Sequence, residues 1–306
     1  MKIFRYARQV VKEFSADDIF KYSASLAYYT VFSIAPLLLI VITLSGLLFG
    51  HDAVQGEIYS QLNQLIGSTA ALQIQETIRK IHLTGNNFFA TLVSLGVLLI
   101  GATTIFGEIQ DSLNKIWGLR IHTRKVWWKL ILTRLLSFSL IISIGFILAA
   151  SLILNALVTA FGHFISRFIS SYSVYVIELT EGLLSFVVSA FLFSLIFKIL
   201  PDAKIKWKDV LLGGVVTAVF FTLGKMGISF YVAKSNLTSL YGAAGSIIIL
   251  MVWVYYSAVI LYLGAEFTKV HAKLYGGKIL PNEYAEWVKT EEKTVKGPQL
   301  KNKDLP

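Results

Sequence analysis

Six blocks of mostly apolar sequence, each about 20 residues or longer, divide this chain of 306 residues. A run of that length spans the hydrocarbon core of a bilayer. The blocks predict helical spans at about 24–50, 88–107, 130–160, 178–200, 209–233 and 243–267. Within lipid a helix must satisfy its own backbone hydrogen bonds, so the expected fold is all-α, a polytopic membrane bundle of six transmembrane helices. Composition agrees: 55% of residues are hydrophobic and only 15% are charged, against about a quarter charged in soluble domains. The first block is too long for the core of a signal peptide, and no small-residue cleavage site follows it, so it reads as a retained span. The absence of cysteine removes disulfide and thiolate chemistry.

Lysine and arginine set the expected sidedness. Taken segment by segment between the spans, they number 5, 2, 6, 1, 4, 1 and 8, and Lys225 alone lies well inside a span. Positive residues stay on the cytoplasmic side. An arrangement with both termini inside puts 23 of the 28 there, and shifting the frame by one helix destroys the alternation. The formal charge of +10 is therefore a topology signal first and an attraction to anionic headgroups second. It gives no reason to expect a nucleic-acid partner.

Three regions flank or interrupt the bundle. Residues 1–23 form a cytoplasmic amphipathic segment. In it Ile3, Ala7, Val10, Val11 and Phe14 recur at helical spacing, with Arg5, Arg8 and Lys12 on another face, as suits the inner lipid interface or a simple topology anchor. Ser15, Asp17 and Asp18 read as the N-cap and acidic first turn of the next helix. Residues 24–275 form the membrane domain, with one long outer loop at 51–87. There Ile58, Leu62, Leu65 and Ile66, then Ile74, Ile78 and Ile81, predict two short amphipathic helices. Residues 276–306 are expected to be a polar, lysine-rich, disordered cytoplasmic tail, and no strand pattern is visible anywhere. Pro36 should kink the first span, and Leu200-Pro201-Asp202 should stop the fourth.

Ionisable and polar residues inside spans are costly, so they mark either interior contacts or a substrate path. Lys225 in the fifth span lies near the depth of Glu178 and Glu181 in the fourth. The reading is a charged path residue, a buried ion pair or a lysine that snorkels outward, with Glu181 the expected partner and Glu178 the reserve. Glu108 and Glu266 close the second and sixth spans at the inner face, with Lys115 and Lys269 as nearby cations. Asn155 in the third span is interhelical glue or a ligand. Tyr28, Tyr241 and Trp253 either line an interior cavity or pack, and Gly213, Gly214, Gly224 and Gly227 permit close helix approach. Lys204, Lys206 and Lys208 are candidate contacts for inner-leaflet headgroups.

An enzyme is not expected. A nuclease or hydrolase needs converging metal ligands or a nucleophile with a base. Of five histidines only His122 and His271 face the cytoplasm on this topology, and no HExxH, DxD, P-loop or GxSxG pattern occurs. No metal or cofactor is expected either.

Several segments, taken in order, are similar to one known family. They are Ser25-Leu26-Ala27-Tyr28-Tyr29-Thr30 with Ser33 and Pro36, Leu113-Asn114-Lys115-Ile116-Trp117, Leu200-Pro201, and Phe230-Tyr231. Tyr241-Gly242, Trp253-Val254-Tyr255 and Gly264-Ala265-Glu266 complete the set. Over about residues 10–275 the chain resembles the YihY/virulence factor BrkB family of bacterial inner-membrane proteins, once labelled ribonuclease BN. That resemblance implies a six-helix inner-membrane protein with little established chemistry. Some relatives are linked to export or flipping of lipid A precursors or other envelope lipids. The expected function is therefore transport or flipping of an anionic amphiphile, with membrane lipids as partners. The alternative is a non-transporting scaffold that meets envelope-biogenesis proteins.

Overall fold

The computed structural model describes residues 2–49, 88–121, 173–234, 243–275, 279–283 and 285–288, with short pieces between residues 55 and 76. The helices are α1 (Lys2–Ala16), α2 (Ile19–Phe49), α3 (Phe88–Ile116), α4 (Ser173–Ile199), α5 (Trp207–Lys234) and α6 (Ala243–Tyr275). Four short strands accompany them: β1 (Leu119–Ile121), β2 (Ala203–Lys204), β3 (Leu280–Pro281) and β4 (Ala285–Trp287). Helices α2 to α6 correspond to five of the six expected spans. The span at 130–160, with Asn155, lies outside the described residues, as do Tyr241 and His122.

The long helices pack in the spatial order α3, α2, α6, α5, α4. Small residues set the spacing between α4, α5 and α6. A Cβ built on Gly214 would come within 2.5 Å of the Ala190 carbonyl oxygen, and one on Gly264 would lie 3.2 Å from the Phe197 ring and overlap the Thr217 hydroxyl. Gly214 therefore marks a close approach to the backbone of α4, and Gly264 a seat for the Thr217 and Phe197 side chains. The hydroxyls at these crossings bond back along their own helices. Ser194 donates to the Ala190 carbonyl at 2.7 Å, Thr217 to Gly213 at 2.7 Å and Thr268 to Gly264 at 2.8 Å. Polar atoms are thus satisfied inside an apolar interface without water. Gly213 and Gly224 also meet neighbouring side chains, Thr268 and Tyr256, whereas Gly227 faces open space.

The outer faces of α4 and α5 are apolar and exposed. Leu179, Leu183, Val187 and Phe191 follow one another at four-residue steps on α4, and Leu223, Met226 and Phe230 continue the surface on α5. A stripe of this kind is unfavourable in water and at home in hydrocarbon. Gly182–Ile199, Trp207–Ile228 and Ile247–Tyr275 are each long and apolar enough to cross a membrane.

Three sequence expectations need correction. Helices α3 and α6 run eight or more residues past the expected span ends, to Ile116 and Tyr275. Their last turns are amphipathic and pack on other protein elements, so the apolar-block criterion stops short of them. The helix start read at Ser15 is absent: α1 continues to Ala16, and Asp18 turns the chain with a φ of 49° before α2 begins at Ile19. Left-handed backbone of this kind is tolerated best by Asp and Asn among residues with a Cβ.

The tail is the third case. Residues 279–283 and 285–288 are ordered rather than disordered. β3 pairs antiparallel with β2 (Ala203↔Pro281, Lys204↔Leu280), and β4 with β1 (Leu119↔Trp287, Arg120↔Glu286, Ile121↔Ala285). Strands of two and three residues carry no readable periodicity, and their partners are remote in sequence. Elsewhere expectation and structure meet. Helix α4 stops just before Pro201, and Ile58 and Ile74, in the segment between α2 and α3, are buried.

Candidate functional site

The N-terminal helix, the turn after α3, the turn after α4 and the end of α6 meet at one end of the bundle. Each is the described part of a segment rich in lysine and arginine. Helix α1 is held there by its apolar stripe: Val10 is buried, and the Tyr6 ring meets Phe267 edge-on at 5.0 Å. The Tyr6 hydroxyl donates to the Phe267 carbonyl at 3.0 Å. The stripe read as lipid-facing thus packs partly on α6, leaving Val11 exposed.

A charged clasp adjoins this contact. The Lys269 ammonium lies 2.6 Å from Asp17, 2.7 Å from Glu13 and 3.2 Å from Glu266. The Lys269 side chain is 9% exposed, and Glu266 is wholly buried. Lys273 adds a looser pair with Glu13 at 3.3 Å. Burial pushes the Glu13 carboxyl up, but the hydrogen bonds and charges of Lys269 and Lys273 outweigh it and hold the group below its ordinary value. Oxygens of Glu13, Asp17 and Glu266 lie within 4.8 Å of one another, close enough to share a cation. The Lys269 ammonium already stands among them, so a metal there would have to displace it.

A second polar knot ties the two turns together. Asp202 accepts from Gln110 Nε2 at 3.1 Å and from Asn114 Nδ2 at 2.7 Å, while its own N–H donates to Asn114 Oδ1 at 2.9 Å. All three residues are buried. The Asp202 carbonyl accepts from the Asn282 N–H at 3.0 Å, which anchors the β3 segment. Nearby, the buried Trp117 donates its indole N–H to the Ala265 carbonyl at 3.1 Å. His271 Nδ1 approaches Asp209 Oδ1 at 3.3 Å, and its ring stacks on Tyr275 at 4.9 Å.

A cleft of about 670 Å³ opens between these elements. Glu13 of α1, Asp17 in the turn that follows it, Lys115 at the end of α3, and Lys269 and Lys273 of α6 supply its charged wall. The Lys115 ammonium sits 5.2 Å above the Tyr22 ring, a cation–π contact, rather than serving as the close partner expected for Glu108. Leu280, Trp287 and Val288 supply an apolar wall, and all three are substantially exposed.

The residues singled out from sequence divide accordingly. Glu266 joins the clasp with its expected partner Lys269. Glu108 is half-buried on α3, within electrostatic reach of the buried Tyr262. Lys204, Lys206 and Lys208 are exposed at the same end as the cleft. Trp253 packs edge-on against Phe221 at 5.8 Å and touches the core. Tyr28 is exposed, in an aromatic group with Tyr29 and Phe32.

Lys225 is half-buried on the face of α5 that also carries the buried Ala218 and Ile228. The antiparallel register that seats Gly214 between Ala190 and Ser194 brings Lys225 level with the turn of α4 carrying Glu181, one turn from Glu178. The side chains of Glu178 and Glu181 lie outside the described residues. Sequence reasoning misses Glu13, Gln110 and Lys273 at this end. It reads Asp17 and Asp202 only as a helix start and a helix end, and nothing local reveals their distant partners.

Long apolar helices with exposed apolar faces, joined at one end by polar knots, define a helical integral membrane protein. Three of the segments noted in the sequence (Leu113 to Trp117, Leu200-Pro201 and Gly264 to Glu266) meet at this end. The description Virulence factor BrkB matches residues 10–285, and the chain belongs to that family. A UPF0761 membrane protein of Pseudoalteromonas atlantica is 26% identical over 87% of this chain and 85% of its own. One of Tolumonas auensis is 28% identical over 79% and 77%. YfkH of Bacillus subtilis, named as ribonuclease-like, is 29% identical over 85% and 92%. No solved structure matches the chain.

Proposed function

We propose that this is a multi-pass protein of the bacterial cytoplasmic (inner) membrane, with six spans and both termini inside, that binds and moves an anionic amphiphile such as an envelope lipid. The observation that carries this reading is the convergence of the four basic segments, with amphipathic α1 among them, on one end of the bundle. Sidedness follows from the positive-inside rule applied to that end. Each lysine or arginine beside an anionic leaflet contributes about 1 kcal/mol of attraction, so the rim gathers anionic lipid around the cleft. With no nucleotide-binding motif in the sequence, any drive would come from a gradient or from another protein.

The topology is tested by single-cysteine labelling, which the cysteine-free chain makes clean. A cysteine at Lys204 should be protected from an impermeant reagent in sealed cells, and one at Arg167 should react. Labelling of both from the same side would remove the six-span arrangement.

The function is tested in vesicles. Purified protein should bind anionic vesicles more tightly than zwitterionic ones and lose that preference when Lys204, Lys206 and Lys208 are neutralised together. It should also scramble an anionic lipid reporter, more slowly with Lys225→Ala.

A second reading, a non-transporting scaffold that assembles with envelope-biogenesis proteins, is favoured by the tight glycine-spaced packing of α4, α5 and α6. Equal binding of both vesicle types without scrambling would make it the better one. We propose no nuclease activity, and hence no nucleic-acid partner, whatever the name given to YfkH. The one carboxylate group of metal-binding shape among the described residues already encloses an ammonium. RNA incubated with magnesium or manganese should survive as well as in a mock preparation.

A further inference from the structure

We infer that the cleft between α1, the end of α3 and the end of α6 binds a phosphate ester, its anion held by Lys115 and Lys273 and its carbon skeleton laid against Leu280 and Trp287. This rests on the proposed handling of an anionic amphiphile and gives that reading a specific site. Four observations carry it.

The volume, about 670 Å³, lies within the range of small-molecule pockets and far exceeds that of a bound water. The cleft wall carries three ammonium groups against two carboxylates, which leaves room for one further negative charge. The cations are not equivalent. Lys269 is buried and committed to Asp17 and Glu13 at 2.6 and 2.7 Å. Lys273 is half-exposed and holds Glu13 only at 3.3 Å, and Lys115 is exposed over the Tyr22 ring. An incoming anion therefore meets two lysines whose present contacts are weak. Finally, Trp287 and Leu280 are 50% and 49% exposed, on chain segments fixed by pairing with β1 and β2. Large apolar groups held rigidly beside loosely engaged cations suit a ligand that is charged at one end and carbon-rich at the other.

Glu13 occupies the position of the anion on Lys273, so it acts as an internal competitor. Removing its charge should release Lys273 and tighten binding, the opposite of what a purely stabilising ion pair would give.

The experiment uses the full chain in nonionic detergent. Glycerol 3-phosphate and dihexanoyl phosphatidic acid are the probes, dihexanoyl phosphatidylcholine is the zwitterionic control, and tryptophan fluorescence and calorimetry are the readouts. Saturable binding of either phosphate ester in preference to the control is expected. Lys115→Gln with Lys273→Gln should weaken it about tenfold or more, the scale of lost charged hydrogen bonds. Glu13→Gln, which keeps both lysines, should tighten it about threefold, the scale of one exposed ion pair. Equal affinity for both probes would identify a free phosphate ester as sufficient. Binding of the acylated probe alone would identify a lipid headgroup.

Binding unchanged in the double lysine variant, no tightening with Glu13→Gln, or equal affinity for the zwitterionic control would each overturn the site. The broader reading is separable. Should anionic-vesicle preference survive the double cleft variant yet vanish on neutralising Lys204, Lys206 and Lys208, the rim stands and the cleft falls. Cleft binding without any vesicle preference would show the reverse.

Discussion

Exchanging Asn114 and Asp202 for one another leaves a folded protein, while either half of the exchange alone lowers Tm by roughly 6–10 °C, corresponding to a loss of about 3 kcal/mol. The geometry dictates the asymmetry. Asn114 gives its amide to the Asp202 carboxylate at 2.7 Å and takes the Asp202 N–H on its own oxygen at 2.9 Å. Asn114→Asp sets two buried carboxylates against each other. Asp202→Asn turns an amide toward the Asn114 amide or, flipped, toward the Gln110 amide, so a donor faces a donor. In the double exchange the carboxylate moved onto α3 still accepts the backbone N–H that Asn114 accepted. The amide moved into the turn after α4 donates to that carboxylate, and its oxygen remains an acceptor for Gln110. Thermal unfolding in detergent checks this. Equal instability of the double exchange and the single changes would show that these side chains are coupled by something other than this knot.

That pair also shows what the sequence carries and what it hides. Apolar blocks and the alternation of basic residues are local signals, each readable within one segment, and they anticipate five described helices and the company kept by α1, the two turns and the end of α6. Gly213 and Gly214 are legible for a related reason: a small residue in an apolar helix has few uses besides close packing. Asn114 and Asp202 are not, since each has an unremarkable local context and acquires its role only from a partner 88 positions away. Asp17 is worse placed, because an acidic residue before a helix has a familiar local explanation as a cap, and that explanation competes with its actual pairing to Lys269, 252 positions on. The strands at 280–281 and 285–287 fall below the length at which alternation can be seen. Lysine-rich composition near them argues for disorder, and a fixed docking surface on the turns after α3 and α4 overrides it.

Lys269→Ala should be the most damaging single change at the clasp, at about 3–5 kcal/mol, and its damage should fall first on α1. With the ammonium gone, Glu13, Asp17 and Glu266 remain with oxygens within 4.8 Å of one another, one of them wholly buried. Glu13 and Asp17 then lack their closest counter-ion and regain water most cheaply by moving α1, since they lie on it or in the turn that follows it, while Glu266 stays fixed in the packed body of α6. Proteolysis at the Asp17–Asp18 turn, or labelling of a cysteine placed at the buried Val10, should therefore accelerate before global unfolding changes. Adding Glu13→Gln removes one of the two carboxylates left without their closest counter-ion and should recover part of the loss. A double variant as damaged as Lys269→Ala alone would mean that charge is not the cause. The clasp also has a pH dependence of known sign. Glu13 has a depressed pKa in the folded protein, so its contribution is complete above the unfolded carboxylate value of about 4.3 and disappears as pH falls through the lower folded value. Docking of α1 should therefore be constant from neutral pH down to about 5 and weaken below about 4, and Glu13→Gln should flatten that fall. Alkaline release of α1 with no acid release would contradict the assignment, because the controlling titration would then not be that of Glu13.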